Sequence, residues 1–130
     1  MYAEVTDKIR VAVEPFFIED QSDPAAGRWL FGYRVTITNE GERPVQLVSR
    51  HWRITDGRGM LSEVRGAGVV GEQPRLEPGR SFTYTSGAPL PTPTGIMQGS
   101  YELLDDTGRS FVVRIPAFSL DAPGPRGPLN

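Results

Sequence analysis

Apolar and polar residues alternate with a period of two along most of this chain, whereas no stretch shows the period of an amphipathic helix. A strand with one buried face has this pattern because successive side chains point to opposite faces of a sheet. The clearest example spans residues 29–38, in which the apolar positions are Trp29, Phe31, Tyr33, Val35 and Ile37. The chain is therefore predicted to fold almost entirely as β-strands.

Turn residues divide this pattern into short segments. The 15 glycines and 12 prolines of the sequence lie mostly between the alternating stretches, where they are typical of turns. Hairpin turns are predicted at 56–59 and 105–108, and strands at residues 8–14, 29–38, 45–56, 60–65, 81–85, 97–103 and 111–115. Short strands at regular spacing indicate an all-β fold, either a sandwich or a barrel.

Two aromatic residues favour an immunoglobulin-like β-sandwich. Tyr101 lies two residues before the apolar Leu103, which is the spacing of a tyrosine corner in immunoglobulin domains. Trp52 lies in the middle of a predicted strand and is expected to pack in the core as the companion tryptophan.

The length of 130 residues fits a single domain, predicted over residues 1–120. Residues 121–130 are rich in proline and glycine and are predicted to form a disordered tail. The net charge of −2 argues against a nucleic-acid partner, and the lack of cysteine excludes disulfides and cysteine zinc sites. No signal peptide and no membrane-spanning run is visible, so we expect a cytoplasmic protein without a membrane partner.

A glycine pattern, G-x-G-x-x-G, spans residues 66–71. In a dinucleotide-binding fold this pattern is followed by a helix whose N-terminus holds the pyrophosphate. Here Pro74 and Pro78 follow closely, so no such helix can form. The pattern therefore needs another explanation.

Two explanations of the glycine pattern stay open. Successive backbone N–H groups could form a nest for pyrophosphate or a nucleotide, for which the tentative binding residues are Arg65, Gly66, Gly68, Gly71 and Arg75. Alternatively, the glycines allow bulges and positive φ angles where the chain passes between sheets. The structural explanation is favoured, because the motif lacks its usual context.

No group of residues predicts catalysis or a metal site. His51 is the sole histidine, and the arginines near it would repel a cation, so a hydrogen-bonded strand histidine is expected. Ser49 or Ser86 could be combined with His51 and Asp56, but no nucleophile elbow is present. We therefore predict no catalytic residue, no metal ligand and no cofactor. Magnesium-assisted phosphoanhydride hydrolysis is a further alternative, which would need carboxylates beside the glycine loop.

Several motifs together resemble the ApaG (CorD) family. They cover nearly the whole chain apart from the tail and lie at residues 50–56, 63–74, 76–79, 81–87, 92–95, 97–101 and 115–118. The resemblance implies a fibronectin-type-III or immunoglobulin-like β-sandwich. It also implies a bacterial protein linked to cobalt and magnesium resistance, and related domains in eukaryotic proteins look like recognition modules.

These observations predict a non-enzymatic recognition domain with an unknown protein partner and an indirect effect on cation resistance. The alternative is a pyrophosphate or nucleotide sensor that uses the glycine loop. The expected contact surfaces are the loop at 19–28, the glycine loop and a stiff, proline-rich connector at 87–95. Lys8, Arg10 and Glu14 are interpreted as charges that protect an edge strand, so we expect a monomer or a weak dimer.

Overall fold

A computed structural model of the chain describes residues 1–123, and it confirms the all-β fold. Two short 3-10 helices, Glu19–Gln21 and Pro24–Ala26, interrupt the strands. The strands are β1 (Tyr2–Thr6), β2 (Ile9–Phe17), β3 (Trp29–Asn39), β4 (Val45–Asp56), β5 (Leu61–Ala67), β6 (Arg75–Leu76), β7 (Ser81–Leu90), β8 (Thr94–Asp105) and β9 (Ser110–Asp121). No helix among residues 1–123 is long and apolar enough to span a bilayer.

The strands form two antiparallel sheets that pack face to face. The first sheet has the order β1-β2-β3-β7, and the second has the order β5-β4-β8-β9. The short strand β6 also pairs with β4, beside the end of β4 that β5 leaves free. Within residues 1–123, the edge strands are therefore β1 and β7 in the first sheet, and β5 and β6 along one edge and β9 along the other in the second.

One side of the sandwich is closed by contacts between β1 and β9. The hydroxyl groups of Tyr2 and Ser119 lie 3.1 Å apart, and Arg114 Nε lies 3.1 Å from Glu4 Oε2. The backbone N–H of Arg114 also donates to Thr6 Oγ1. The strands β5 and β7 consequently lie at the opposite side of the sandwich.

Aromatic rings from both sheets fill the centre of the core. Trp52 of β4 is only 3% exposed, and its ring centroid lies 5.2 Å from that of Tyr33 on β3. The ring of Phe118 on β9 packs edge-on against Trp52. The predicted core position of Trp52 is confirmed. Such aromatic pairs add to the free energy gained by burying apolar surface.

The tyrosine-corner prediction for Tyr101 is wrong. Tyr101 is fully buried, but its hydroxyl forms a hydrogen bond with the hydroxyl of Tyr84 on β7. A tyrosine corner would bond instead to the backbone a few residues upstream. Tyr101 therefore joins the two sheets on the side where β5 and β7 lie.

The first predicted strand is not an edge strand. It corresponds to β2, which pairs with β1 on one side and β3 on the other. Lys8, Arg10 and Glu14 therefore do not protect a free edge. The strand β1 was not predicted, because its partly buried residues, Tyr2, Glu4 and Thr6, give no apolar alternation.

Two predicted boundaries also change. Most of the predicted connector at 87–95 belongs to β7 and β8, and only residues 91–93 lie between these strands. At the C-terminal end, β9 includes Asp121, and the N–H of Ala122 donates to the carbonyl of Pro93. Residues 124–130 of the predicted tail lie outside the described residues.

Candidate functional site

The glycine loop continues from β5 into a tight hairpin. Val69 and Glu72 exchange two backbone hydrogen bonds of 2.8 Å, which leaves Val70 and Gly71 as the two turn residues. Their φ angles are 42° and 81°, as in a type I′ turn. Positive φ is ordinary for glycine but rare and strained for a β-branched residue such as Val70.

Three N–H groups of the loop already have backbone acceptors. The N–H of Gly68 donates to the Val48 carbonyl at 2.8 Å, and those of Val69 and Glu72 close the hairpin. These three N–H groups are engaged in the fold, so they would have to break hydrogen bonds before they could hold an anion. Anion binding by the loop stays a prediction.

Arg50 on β4 binds the loop from inside the sandwich. Its Nη1 donates to the carbonyl oxygens of Ala67 and Gly68, at 3.1 and 3.0 Å. The guanidinium lies directly against Gly66, where an added Cβ would approach it to 2.8–2.9 Å. The loop therefore presents carbonyl oxygens to a cation at this point, which is the opposite polarity to an anion nest.

The predicted binding residues do not converge. Arg65 points to the opposite face of β5 from Gly66, and its Nη2 lies 3.5 Å from Glu63. Arg75 lies on β6, where its Nε pairs with Glu77 at 3.0 Å. Gly71 lies in the turn described above, with nothing within 4 Å of an added Cβ.

Buried tyrosines lie beneath the Arg50 side chain. Burial raises the pKa of Tyr33, Tyr84 and Tyr101 above the ordinary value for tyrosine, and the Arg50 charge opposes this rise only weakly. The raised pKa values keep these hydroxyl groups in the neutral form. The three tyrosines fill the interior between β5 and β7, so we interpret this cluster as part of the packed core.

The strand β5 is the most exposed strand of the second sheet. It pairs with β4 alone, through residues from Leu61 to Ala67. Leu61 is 54% exposed, and Val64 is 41% exposed although it lies beside the buried Trp52. The exposed apolar residues of β5 and its flanking turns form what we call the β5 surface, which consists of Met60, Leu61, Val64 and Val70.

The outer face of the second sheet is rich in arginine. A cleft of about 200 Å³ opens there, next to β5. We call it the arginine cleft, and it is lined by His51, Arg53, Gln98, Gly99, Ser100, Arg114 and Ile115.

His51 is held in this face by a hydrogen bond. Its Nε2 donates to Glu63 Oε1 at 2.7 Å, and this bond is the main reason why the pKa of Glu63 is lowered. The expectation of a hydrogen-bonded strand histidine is confirmed. Among residues 1–123 there is no group of three or more His, Asp or Glu side chains placed to hold a metal ion.

Comparison with known proteins identifies the family. The family model described as ApaG domain matches residues 19–105. Proteins named Protein ApaG from Mesorhizobium japonicum and Brucella anthropi are 55% and 56% identical over 130 residues, and each alignment covers all of both chains. The chain belongs to the ApaG family. A solved structure, that of the putative ApaA protein from Bordetella pertussis, is 50% identical to this chain, with a TM-score of 0.86 over 88% of this chain and 94% of that chain.

Sequence reasoning missed two features of this ApaG domain, namely the role of Arg50 and the arginine cleft. The alternation of β4 places Arg50 and Arg53 on opposite faces, which the structure confirms. The partners of each arginine depend on which strands flank β4, and no local pattern encodes that order.

Proposed function

We propose that this ApaG domain is a non-enzymatic recognition module that binds a protein partner through the β5 surface. The observation that carries the proposal is an edge strand with exposed apolar side chains on both of its faces. Edge strands with unpaired N–H and C=O groups are ready templates for pairing with another chain. Natural proteins usually cover or charge such edges. The outer face of β5 carries the charged Glu63 and Arg65, but Leu61 and Val64 stay exposed beside them, and these apolar side chains favour a binding role.

Val70 supports the same surface. A valine at positive φ costs about 1–2 kcal/mol relative to a residue that tolerates this conformation. Val70 nevertheless holds a 53% exposed side chain at the tip of the hairpin. Strained residues of this kind concentrate at functional sites. A contact with a partner would explain why an apolar side chain stands in this turn.

The surroundings of the candidate catalytic residues support a role without catalysis. The Ser49 hydroxyl donates to Glu102 at 3.1 Å, and His51 is bound to Glu63. Asp56 accepts the backbone N–H groups of Arg58 and Met60. Each residue therefore has a structural partner outside the proposed triad. An effect on cobalt and magnesium resistance would then act through the bound partner in the cytoplasm.

Comparative affinity capture from a bacterial lysate tests this function. The bait would be the full chain, as wild type and with the double substitution Leu61→Arg and Val64→Arg. The matched control is Thr83→Arg with Thr85→Arg, which adds the same charge to exposed positions of β7, an edge strand of the other sheet. We expect a protein that is retained by the wild type and the control and lost with the β5 variant. Equal capture by all three baits would contradict the proposal.

A further inference from the structure

We propose that the arginine cleft binds a carboxylate side chain from an acidic segment of the partner, and this inference rests on the proposed function. The cleft lies on the outer face of the second sheet, next to the β5 surface. A partner seated on β5 would therefore reach it with a neighbouring side chain.

The floor of the cleft includes Gly99, where the backbones of β4 and β8 come close together. A Cβ at this position would clash with the carbonyl oxygen of His51 on β4. The pairing of β8 with β9 also shifts its register between Met97 and Gly99, which marks a β-bulge. Glycine at position 99 therefore permits the close approach of β8 to β4, and the side chains of Gln98 and Ser100, which lie opposite Arg53 and His51, border the cleft.

The groups around this floor are hydrogen-bond donors. They comprise the guanidinium groups of Arg53 and Arg114, the amide of Gln98 and the hydroxyl of Ser100. Of the carboxylates within residues 1–123, none lines the cleft, and Glu4 reaches only its rim through Arg114. Guanidinium groups bind carboxylates through charge-assisted and often bidentate hydrogen bonds. This donor set is chemically suited to an oxyanion.

The local charge balance leaves one arginine available. Glu63 lies beside His51 and Arg65 and opposite Arg53 on the neighbouring strand, and Glu4 pairs with Arg114. Within residues 1–123, Arg53 forms no ion pair with any carboxylate. The cleft therefore keeps a positive charge although the whole chain carries a net charge of −2.

The neighbouring apolar residues favour a polypeptide, rather than a free phosphate, as the source of the oxyanion. Leu61 and Ile96 flank Thr55 on the same outer face and are both about half exposed. A free phosphate would use the donors alone. A partner segment with acidic and apolar side chains would use the donors and this apolar row together.

The test is a titration of the ¹⁵N-labelled full chain followed by NMR. The probes are a blocked tetraglutamate peptide, a blocked tetraglutamine peptide and inorganic phosphate, each up to about 10 mM at low ionic strength, where charges are least screened. The test variant carries Arg53→Gln and Arg114→Gln. The control carries Arg58→Gln and Arg80→Gln, which removes the same charge from exposed positions outside the cleft.

We expect tetraglutamate to shift the amide signals of Gly99 and Ser100 in the wild type and the control. Binding should weaken about tenfold or more in the test variant, because two charged donors are lost. Tetraglutamine should cause no such shifts. The inference is overturned if tetraglutamate causes no shifts, if the test variant binds as well as the control, or if phosphate binds the same residues more tightly.

The capture experiment separates this inference from the proposed function. A partner that depends on Leu61 and Val64 but binds the Arg53→Gln, Arg114→Gln variant fully would overturn the carboxylate site alone. Loss of that partner with both variants supports the two proposals together. Absence of any partner that depends on β5 would overturn the proposed function.

Discussion

Arg50 donates a hydrogen bond to the carbonyl oxygen of Gly68 at 3.0 Å, from a position inside the sandwich. This contact fixes the end of β5 and the start of the glycine hairpin. It also explains why position 66 carries glycine, because the guanidinium occupies the space of a side chain there. The glycine pattern thus has structural causes, which are the contact with Arg50 at Gly66 and the positive φ angles of Gly68 and Gly71 in the hairpin.

A double-mutant cycle tests this explanation. Gly66→Ala should destabilise the fold by about 1 kcal/mol, because the flexible guanidinium of Arg50 can move away from the new methyl group but then loses its hydrogen bonds to the loop carbonyls. In an Arg50→Ala background the same substitution should cost much less, since the space is already free. Urea unfolding of the four proteins gives the coupling free energy. Additive effects would show that Arg50 is not the reason for glycine at this position.

Val70→Asn should stabilise the fold by about 1 kcal/mol, because asparagine tolerates positive φ and Asn-Gly is favoured in type I′ turns. Val112→Asn is the matched control, since Val112 is 57% exposed in the regular strand β9. Thermal unfolding should show a higher Tm for Val70→Asn alone. We also expect this variant to capture less of the β5 partner. Unchanged stability would mean that the valine is not strained.

Asp105 should titrate well below an ordinary aspartate. The hydroxyl of Thr107 donates to its Oδ1 at 2.6 Å, and this bond is the main cause that lowers the pKa from 3.8 to about 2. A lowered folded pKa stabilises the native state above the unfolded value, and this contribution is lost as the pH falls through about 2. As the pH falls from 3.8 to about 2, the free energy of unfolding of the wild type should therefore decrease relative to that of Asp105→Asn. NMR titration of the carboxyl carbon checks the pKa, and a midpoint near 3.8 would contradict it.

Pyrophosphate and ATP, with and without magnesium, should give no saturable heat that depends on Arg65. The reason is that the N–H groups of Gly68, Val69 and Glu72 are engaged in backbone hydrogen bonds. Calorimetric titration of the wild type and Arg65→Ala provides the check. Saturable binding that disappears in Arg65→Ala would support the sensor hypothesis instead.

The alternation and the turn residues of the sequence predicted seven of the nine strands, and six of these seven bury apolar side chains. The exception is β5, which is largely exposed and was predicted from the hairpin turn at 56–59. The missed strands do not give this signal. The strand β1 turns Tyr2, Glu4 and Thr6 inward, and β6 contains only Arg75 and Leu76. Local periodicity therefore predicts those strands that bury apolar side chains. It fails for strands whose polar groups pair at the edge of a sheet.

The candidate site was less predictable than the fold. The neighbours of β4 depend on the strand order, and the cleft depends on the bulge near Gly99. Both arise from contacts between residues that are far apart in sequence. The glycine pattern was visible in the sequence, but the contact that requires glycine at position 66 comes from Arg50 on another strand.

Position-resolved photo-cross-linking in living bacteria tests the central proposal most directly. A photoreactive residue would replace Leu61, Val64 or Val70 in the β5 surface, and Thr83 or Thr85 on β7 as controls. We predict one common adduct from the three β5 positions and none from the two controls. Adducts that form equally at all five positions, or only on β7, would contradict recognition of a protein partner through β5.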